Sequence, residues 1–302
     1  MTARFRKNIM MKQNSNRVTI VALIYRSSIY AYFFHKNLLK YTPEIRHGQV
    51  DFYFVANSAK FHVLVFLRLF RIRHYVYNPT RLTNQEHQNL GFAAPEYLGR
   101  VYSAYNFGVS KADTEFVILL NSDMVMSPNW LSTILKHEGN RIVSPTLVER
   151  IHPKFGVFPG AKNQNFGSSF LNFNNRKWEE YCNKFETSQV INVGGPYMPA
   201  LMKKEWFTTF GGFPEGNLGG GSNYEIVTAY GDQFFFDKLK QNGIHHESLD
   251  SINCYHFKEG ERETAIPIFF NNILKPSLIR IKKRIIHGLI KIKSSISKKN
   301  KS

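Results

Sequence analysis

An α/β chain with a mostly parallel sheet flanked by helices is the fold class this sequence predicts, on three observations. Apolar runs without alternation recur at RVTIVALIY (17–25), VDFYFVANS (50–58) and FVILL (116–120), as strands covered on both faces read. Segments of helical period stand between them. A chain of 302 residues with 43% hydrophobic and 15% aromatic content can bury a sizeable core.

In chain order, residues 17–25 are a first buried strand and the aromatic-rich SSIYAYFFHKNLLKY (27–41) a helix. Residues 50–58 give a second strand and RIRHYVYN (71–78) a third; EYLGRVYSAYNFGVSKA (96–112) is a helix that feeds FVILLNSDMVMSPNWL (116–131). There the apolar strand runs into Asn121-Ser122-Asp123, and Pro128 offers a helix restart. Residues 151–190 are rich in Asn, Gly and aromatics without a clear period. Then 190–216 reads as strand, glycine turn, strand and short helix, followed by the glycine-rich LGGGSN (218–223). YGDQFFFDKLKQNG (230–243) is a helix closed by Gly243, and a strand within 245–262 leads to His256. The simplest organisation is a basic extension over 1–16, one domain over 17–265 and a basic tail over 266–302.

The net charge of +18 belongs to the ends: residues 1–17 hold five Lys/Arg and 276–302 hold nine, with no Asp or Glu in either, so the stretch between carries +4. In the tail, Leu278, Ile281, Ile285, Leu289, Ile292 and Ile296 recur at helical spacing with most cations opposite. That pattern suits an anionic membrane surface, and equally a terminal helix packed on its own domain or a disordered basic end. The tail lacks the aromatics that base stacking needs, so no specific nucleic acid is expected. Two cysteines, Cys182 and Cys254, are too few for a disulfide framework or a cysteine zinc site. With no secretory signal or membrane-spanning run in view, the expected location is the cytoplasm, peripheral on a membrane face if the tail binds one.

Three residues invite chemistry. Asp123 ends a buried strand at the edge where open α/β sheets bind ligands; it can hold a divalent cation that shares diphosphate oxygens, or it is a turn residue. His256 can complete that site, an imidazole suiting Mn²⁺ better than Mg²⁺, or it is structural. Lys258 and Arg262 behind it can bind phosphate, or be solvated cations. Asp232 begins a helix, where it can cap the end or act as general base on a hydroxyl.

These pieces, in order, resemble the family 2 glycosyltransferases of the GT-A fold. The resemblance rests on VTIVALIYRS, AYNFGVSKADTEFVILLNSDMVMSPNWL, GGPYMPALMKKEWFTTFGGFPEG, GDQFFFDKLKQNG and YHFKEG, across residues 17 to about 262. It implies a GT-A, Rossmann-like sheet and inverting transfer of a sugar from a nucleotide-diphosphate donor to a hydroxyl of a glycan or lipid-linked acceptor, aided by Mn²⁺ or Mg²⁺. Asn121-Ser122-Asp123 stands at the family's DxD metal motif. Asp232 matches the second residue of its Glu-Asp pair, the proposed base, and His256 a late histidine of the metal and diphosphate site. Gly194, Gly195 and Pro196 would wall the donor sugar and acceptor, or form a plain turn. The sequence departs from the family at Asn121 for the first aspartate, at Gly231 for the glutamate, and at Ala56 and Asn57 for aspartates that contact the nucleotide base. Asn57, Asn121 and Ser122 therefore stand as donor-binding candidates. A nucleotidyltransferase of related fold is the enzymatic alternative, though IYRSSIYAY lacks a glycine-rich phosphate loop. A non-catalytic basic binder of nucleic acid or anionic lipid is the other.

Overall fold

The seven residues of β1 (Val18–Ile24) are all buried, because parallel strands flank it on both sides. Its neighbours are β2 (Asp51–Asn57) and β4 (Phe116–Asn121), with β3 (His74–Tyr77) beyond β2. These strands belong to a computed structural model that describes residues 17–25, 27–78, 95–152, 156–214 and 231–258. Helix α1 (Ser28–Tyr41) starts where the Ser27 hydroxyl accepts the Tyr30 N–H at 3.2 Å, a side-chain cap for an otherwise unpaired donor. With α2 (Pro43–Arg46) it connects β1 to β2, while α3 (Phe61–Leu69) connects β2 to β3 and α4 (Pro95–Ser110) precedes β4.

The second half adds β5 (Met124–Met126), α5 (Trp130–Ile134), β6 (Arg141–Glu149), β7 (Lys162–Asn163) and α6 (Asn175–Asn183). After them come β8 (Ile191–Val193), β9 (Leu201–Lys203), α7 (Glu205–Phe210), α8 (Gly231–Gln241) and β10 (His245–His256). The strand order is β3-β2-β1-β4-β9-β6-β10-β5, with β7 on β6 and β8 on β10. Since β9 runs against both β4 and β6, and β10 parallel to β6, the strands β1, β2, β3, β4, β6 and β10 all point one way. The architecture is the mixed, mostly parallel sheet with flanking helices that the sequence predicts.

Two differences from the sequence reading bear on the site. The segment after Asp123 continues into the short strand β5, which pairs against β10, and its helix starts at Trp130 instead of at Pro128. RIVSPTLVE (141–149), which drew no reading because Pro145 and polar residues interrupt its apolar run, is the nine-residue strand β6. In the irregular stretch 151–190, Phe166, Phe173 and Trp178 each pack on Tyr255 of β10 at 5.4–5.9 Å between ring centroids, and Trp178 also packs on Phe166 at 5.3 Å and on Phe173 at 6.3 Å. That stretch builds its core from aromatic contacts, which no backbone period announces.

Only Ser122 and Asp123 separate β4 from β5, although the two lie four places apart in the sheet order. Three Cα steps reach about 11 Å, whereas four flat strand spacings would need about 19 Å. The sheet therefore curls, and the two-residue link brings Asp123 from the end of β4 to the end of β10. A second close approach sets α4 against the sheet. A Cβ on Gly108 would lie 2.6 Å from Val21 Cγ1 and 3.0 Å from Val55 Cγ2, so glycine lets the helix lie on β1 and β2. The Tyr53 hydroxyl donates to the Gly108 carbonyl at 2.8 Å, fixing the same contact from the strand side.

Candidate active site

The carboxyl ends of β2, β4, β6 and β10 carry Asn57, Asn121, Glu149 and His256, with Asp123 two residues beyond β4. Ligands of open α/β sheets bind along this edge. The Asp123 carbonyl accepts the Phe257 N–H at 3.0 Å, and its Oδ2 lies 3.3 Å from His256 Nε2. On the other side of the ring, His256 Nδ1 donates to Glu149 Oε1 at 2.8 Å. The β6 and β10 register sets this contact, because Glu149 and His256 are direct partners across the two strands.

Glu149 has 1% of its side chain exposed, so its charge is sustained entirely by protein donors. Its Oε2 accepts from Lys258 Nζ and from the Phe158 N–H, each at 2.8 Å. Burial alone would raise the carboxyl pKa, but the bonds from His256, Lys258 and Phe158 outweigh it and lower it. Burial likewise opposes the charged form of His256, yet the adjacent Asp123, and then Glu149, raise it to about 10. Lys258 also donates to the Gly156 carbonyl at 2.7 Å. Two of its three N–H donors thus serve protein oxygens, which corrects its reading as a solvated cation. Sequence reasoning missed Glu149, although the signal was the one that singled out Asp123: an apolar strand ending on a carboxylate.

Asp123 and His256 form a donor pair of one carboxylate oxygen and one imidazole nitrogen. Two ligands at right angles on an ion with bonds of about 2.1 Å stand about 3 Å apart, close to the 3.3 Å observed. No group of three His, Cys, Asp or Glu side chains placed to hold a metal ion together is found among the described residues. The pair therefore suits a cation that takes its remaining ligands from phosphate and water, as Mg²⁺ and Mn²⁺ do. Asn121 Oδ1 accepts the Tyr105 hydroxyl at 2.6 Å, leaving that oxygen one lone pair, and Ser122 is buried in the turn.

Asp232 sits in the first turn of α8, where its Oδ1 accepts the Gln233 N–H at 2.9 Å and the Tyr102 hydroxyl at 3.0 Å. Burial raises its pKa, against the pull of these two bonds and of its own backbone N–H. The capping reading is thus half right: one oxygen serves the helix end, while the other has no hydrogen-bond partner among the described residues. Gly231 explains its own identity. A Cβ there would lie 2.7 Å from the Pro214 carbonyl and 2.8 Å from the Tyr102 ring, so the glutamate that the resemblance implies at this position has no space.

Helix α4 ties these positions together. Arg100 offers its carbonyl to Asn57 Nδ2 at 3.3 Å, Tyr102 reaches Asp232, Tyr105 reaches Asn121, and Asn106 exchanges two bonds with the backbone of Phe213 at 2.7 and 2.9 Å. Beside them, the buried Asn57 Oδ1 and Ser58 hydroxyl have no hydrogen-bond partner among the described residues, and Ser58 holds a left-handed φ of 48°. Unsatisfied buried polar atoms with a strained backbone are common where a ligand completes the site.

Gly194, Gly195 and Pro196 line a cavity of about 480 Å³ with Thr146, Phe158, Lys162 and Asp250, and Asp123, Asp232 and His256 are not among its lining residues. The turn is also well anchored. Ser144 Oγ lies 2.8 Å from both the Pro196 carbonyl and His246 Nε2. Having one proton to donate, the hydroxyl gives it to Pro196 and accepts from His246 Nε2–H. Arg262, LGGGSN and both basic ends lie outside the described residues.

The sequence profile described as Glycosyl transferase family 2 matches residues 93–206, a span that contains α4, the Asn121-Ser122-Asp123 turn, Glu149 and the Gly194–Pro196 turn. Over this stretch, which is less than half of the chain, the sequence is similar to the family 2 glycosyltransferases. Asp232 and His256 lie beyond the matched span, so the contacts above are what attach them to the family 2 segment. Among solved structures, the chain is similar to PcManGT, a mannosyltransferase from Pyrobaculum calidifontis in complex with GDP-Man and Mn²⁺, at 14% identity over 80% of this chain and 56% of that one, TM-score 0.48. It is also similar to S. aureus TarS 1-349, at 14% identity over 80% and 60%, TM-score 0.46. GalNAc-T7 with UDP, GalNAc and Mn²⁺ matches at 15% identity over 81% and 44%, TM-score 0.49. The chain thus spans about half the length of these structures. No curated protein matches the sequence.

Proposed function

We propose that this domain transfers a sugar from a nucleotide-diphosphate donor to a hydroxyl of a glycan or lipid-linked acceptor, with inversion and with the help of Mn²⁺ or Mg²⁺. The observation that carries the reading is the pairing of Asp123 with His256 at the carboxyl edge, with Asp232 tied to the same edge through α4. A divalent cation bound there would offset the charge developing on the leaving diphosphate. Asp123 Oδ2 and His256 Nε2 would hold that cation, with Asn121 and Ser122 placed to meet the diphosphate. Asn57 Oδ1 and the Ser58 hydroxyl are acceptors at the position where the family holds its nucleotide base. Asp232 removes the proton from the acceptor hydroxyl, whose oxygen then attacks the anomeric carbon opposite the leaving group. A raised carboxyl pKa serves a base better than an ordinary aspartate would.

The acceptor reading extends to the cavity at Gly194–Pro196. Its lining of hydroxyls, an amide, an ion pair and the half-exposed Phe158 ring has the mixed character that sugar faces and edges require. The loop that walls it also supplies the Phe158 N–H to Glu149, joining the cavity to the histidine cluster. The amphipathic tail would keep the domain on the cytoplasmic face of an anionic membrane. A chain ending near Pro276 that sediments with anionic vesicles as well as the full chain does would end that part of the reading.

Binding and hydrolysis of a panel of nucleotide sugars, with and without Mn²⁺, test the whole. The expected result is one donor that binds with metal, lost in Asp123→Ala and kept without turnover in Asp232→Asn. No binding under any metal condition would overturn the reading.

A further inference from the structure

The two carboxylate oxygens of Asp232 face different fates. Oδ1 takes two donors, the backbone N–H of Gln233 from its own helix and the phenol of Tyr102 from α4, whereas Oδ2 takes none among the described residues. Tyr102 itself is 3% exposed, packed on Phe213 at 5.7 Å between ring centroids. Its hydroxyl would be a costly orphan without the carboxylate. The Tyr102 ring also occupies the space into which any side chain at position 231 would project, its Cδ2 and Cε2 being 2.8 Å from the Cβ that Gly231 lacks.

We infer that Tyr102 is the positioning residue of the base: its hydroxyl and the Gln233 N–H fix the carboxylate through Oδ1 so that Oδ2 alone faces the incoming acceptor hydroxyl, and Gly231 is glycine because the Tyr102 ring and the Pro214 carbonyl together take its space. This rests on the reading of Asp232 as base and deepens it. The loss of the family's glutamate at 231 then has a compensation on a different element, a donor from α4 in place of an acid on α8. The same helix face holds Tyr105 on Asn121, so the base and the metal motif are set by two tyrosines three residues apart. Proton transfer balances simply: Oδ2 accepts the proton, the acceptor oxygen bonds to the anomeric carbon, and the diphosphate leaves with the electron pair of the broken bond.

The titratable groups near this end of α8 are few. Tyr197, before β9, has its phenol raised by burial, by Asp237 and by the charge of Asp232 itself, and His246 of β10 packs on Phe236 and has its pKa lowered by burial. Of the helix's own lysines, Lys238 donates to the Phe210 carbonyl. Tyr102 is therefore the side chain whose removal should move the Asp232 titration.

The test uses the full chain with ¹³C-labelled aspartate, the Asp232 carboxyl signal being assigned with Asp232→Asn. Tyr102→Phe keeps the ring and removes the bond to the charged form, so the Asp232 midpoint should rise by about one unit, and the acid limb of turnover with it. At neutral pH turnover should fall about tenfold, with the Michaelis constant for the donor unchanged. Gly231→Ala, whose methyl pushes the ring off Oδ1, should move the midpoint in the same direction and guards against a folding defect peculiar to the first variant. A midpoint that stays in place in both variants overturns the inference, as does a midpoint that moves while the turnover limb does not. If Asp232→Asn still hydrolyses or transfers from the donor at the wild-type rate, the base reading falls and the role of Tyr102 falls with it.

Discussion

Glu149 and His256 face each other across β6 and β10 with Oε1 and Nδ1 at 2.8 Å, and this contact fixes which ring nitrogen meets Asp123. A histidine whose Nδ1 is committed to a buried carboxylate presents Nε2 alone to whatever lies beyond. The same glutamate accepts from Lys258 and Phe158 through its other oxygen, so it cannot rotate without losing two bonds.

Replacing Glu149 with Gln tests this directly. The amide must point its NH₂ either at the Lys258 and Phe158 donors or at His256 Nδ1–H, so one side always opposes donor to donor. Mn²⁺ affinity in the presence of a nucleoside diphosphate should fall about 10- to 100-fold. The imidazole-nitrogen modulation in the Mn²⁺ electron-spin-echo signal should vanish, as in His256→Ala. Wild-type affinity together with retained modulation would show that Glu149 does not orient the ring.

A different histidine controls acid stability. Burial lowers the pKa of His246 to about 4, and its neutral Nε2–H donates to Ser144, which anchors the turn at Pro196. The folded pKa lies below the ordinary value of about 6.5. The neutral form therefore contributes stability that is fully present above pH 6.5 and is lost as pH falls through about 4. Urea midpoints at pH 7.5 and 5 should show the wild type losing about 2 kcal/mol, and His246→Gln should lose clearly less. Equal losses in the two proteins would place the acid sensitivity elsewhere.

The parts of this molecule that were legible in the sequence are those with a local signature. β1 could be read because strands flank it on both sides, and Asp123 could be read because it breaks an apolar run at the strand's end. β5 could not, since three residues carry no period and its partner, β10, lies more than 120 residues away in the chain. Glu149 escaped because Pro145 and Ser144 disguised its strand. Tyr102 and Tyr105 looked like ordinary apolar positions of an amphipathic helix, and only tertiary contact shows that their hydroxyls end on Asp232 and Asn121. Polar tips on buried aromatics are a general blind spot of pattern reading, because the ring satisfies the periodicity whatever the hydroxyl does.

Gly195 offers a prediction about the cavity wall. A Cβ there would lie 2.9 Å from Ser248 Cβ and 3.2 Å from both His246 Nε2 and Ser144 Cβ. Gly195→Ala should cost about 1–3 kcal/mol by overpacking, whereas Gly194→Ala meets open space and should cost only its left-handed backbone, about 1 kcal/mol. Thermal melts of the two variants decide it. If Gly194→Ala proved the more damaging, the close approach at Gly195 would not be what the second glycine is for.

Gly108 is the sharpest test of the claim that α4 organises the site. In a helix interior, Gly to Ala ordinarily stabilises by about 1 kcal/mol. Here the added methyl would sit 2.6 Å from Val21 Cγ1, and neither the backbone of β1 nor that of α4 can give way without moving other contacts. Overpacking of this kind costs about 1–3 kcal/mol, so the sign of the substitution should reverse and Gly108→Ala should melt lower than wild type. Lifting α4 off the sheet also shifts Tyr102 and Tyr105, so Mn²⁺ affinity and turnover should fall together by more than the stability loss explains. Val21→Ala removes the opposing methyls, and in the double variant the two substitutions should couple favourably by at least about 1 kcal/mol. Simple additivity would mean that Val21 is not what Gly108 makes room for, and the placement of the tyrosines would need another cause.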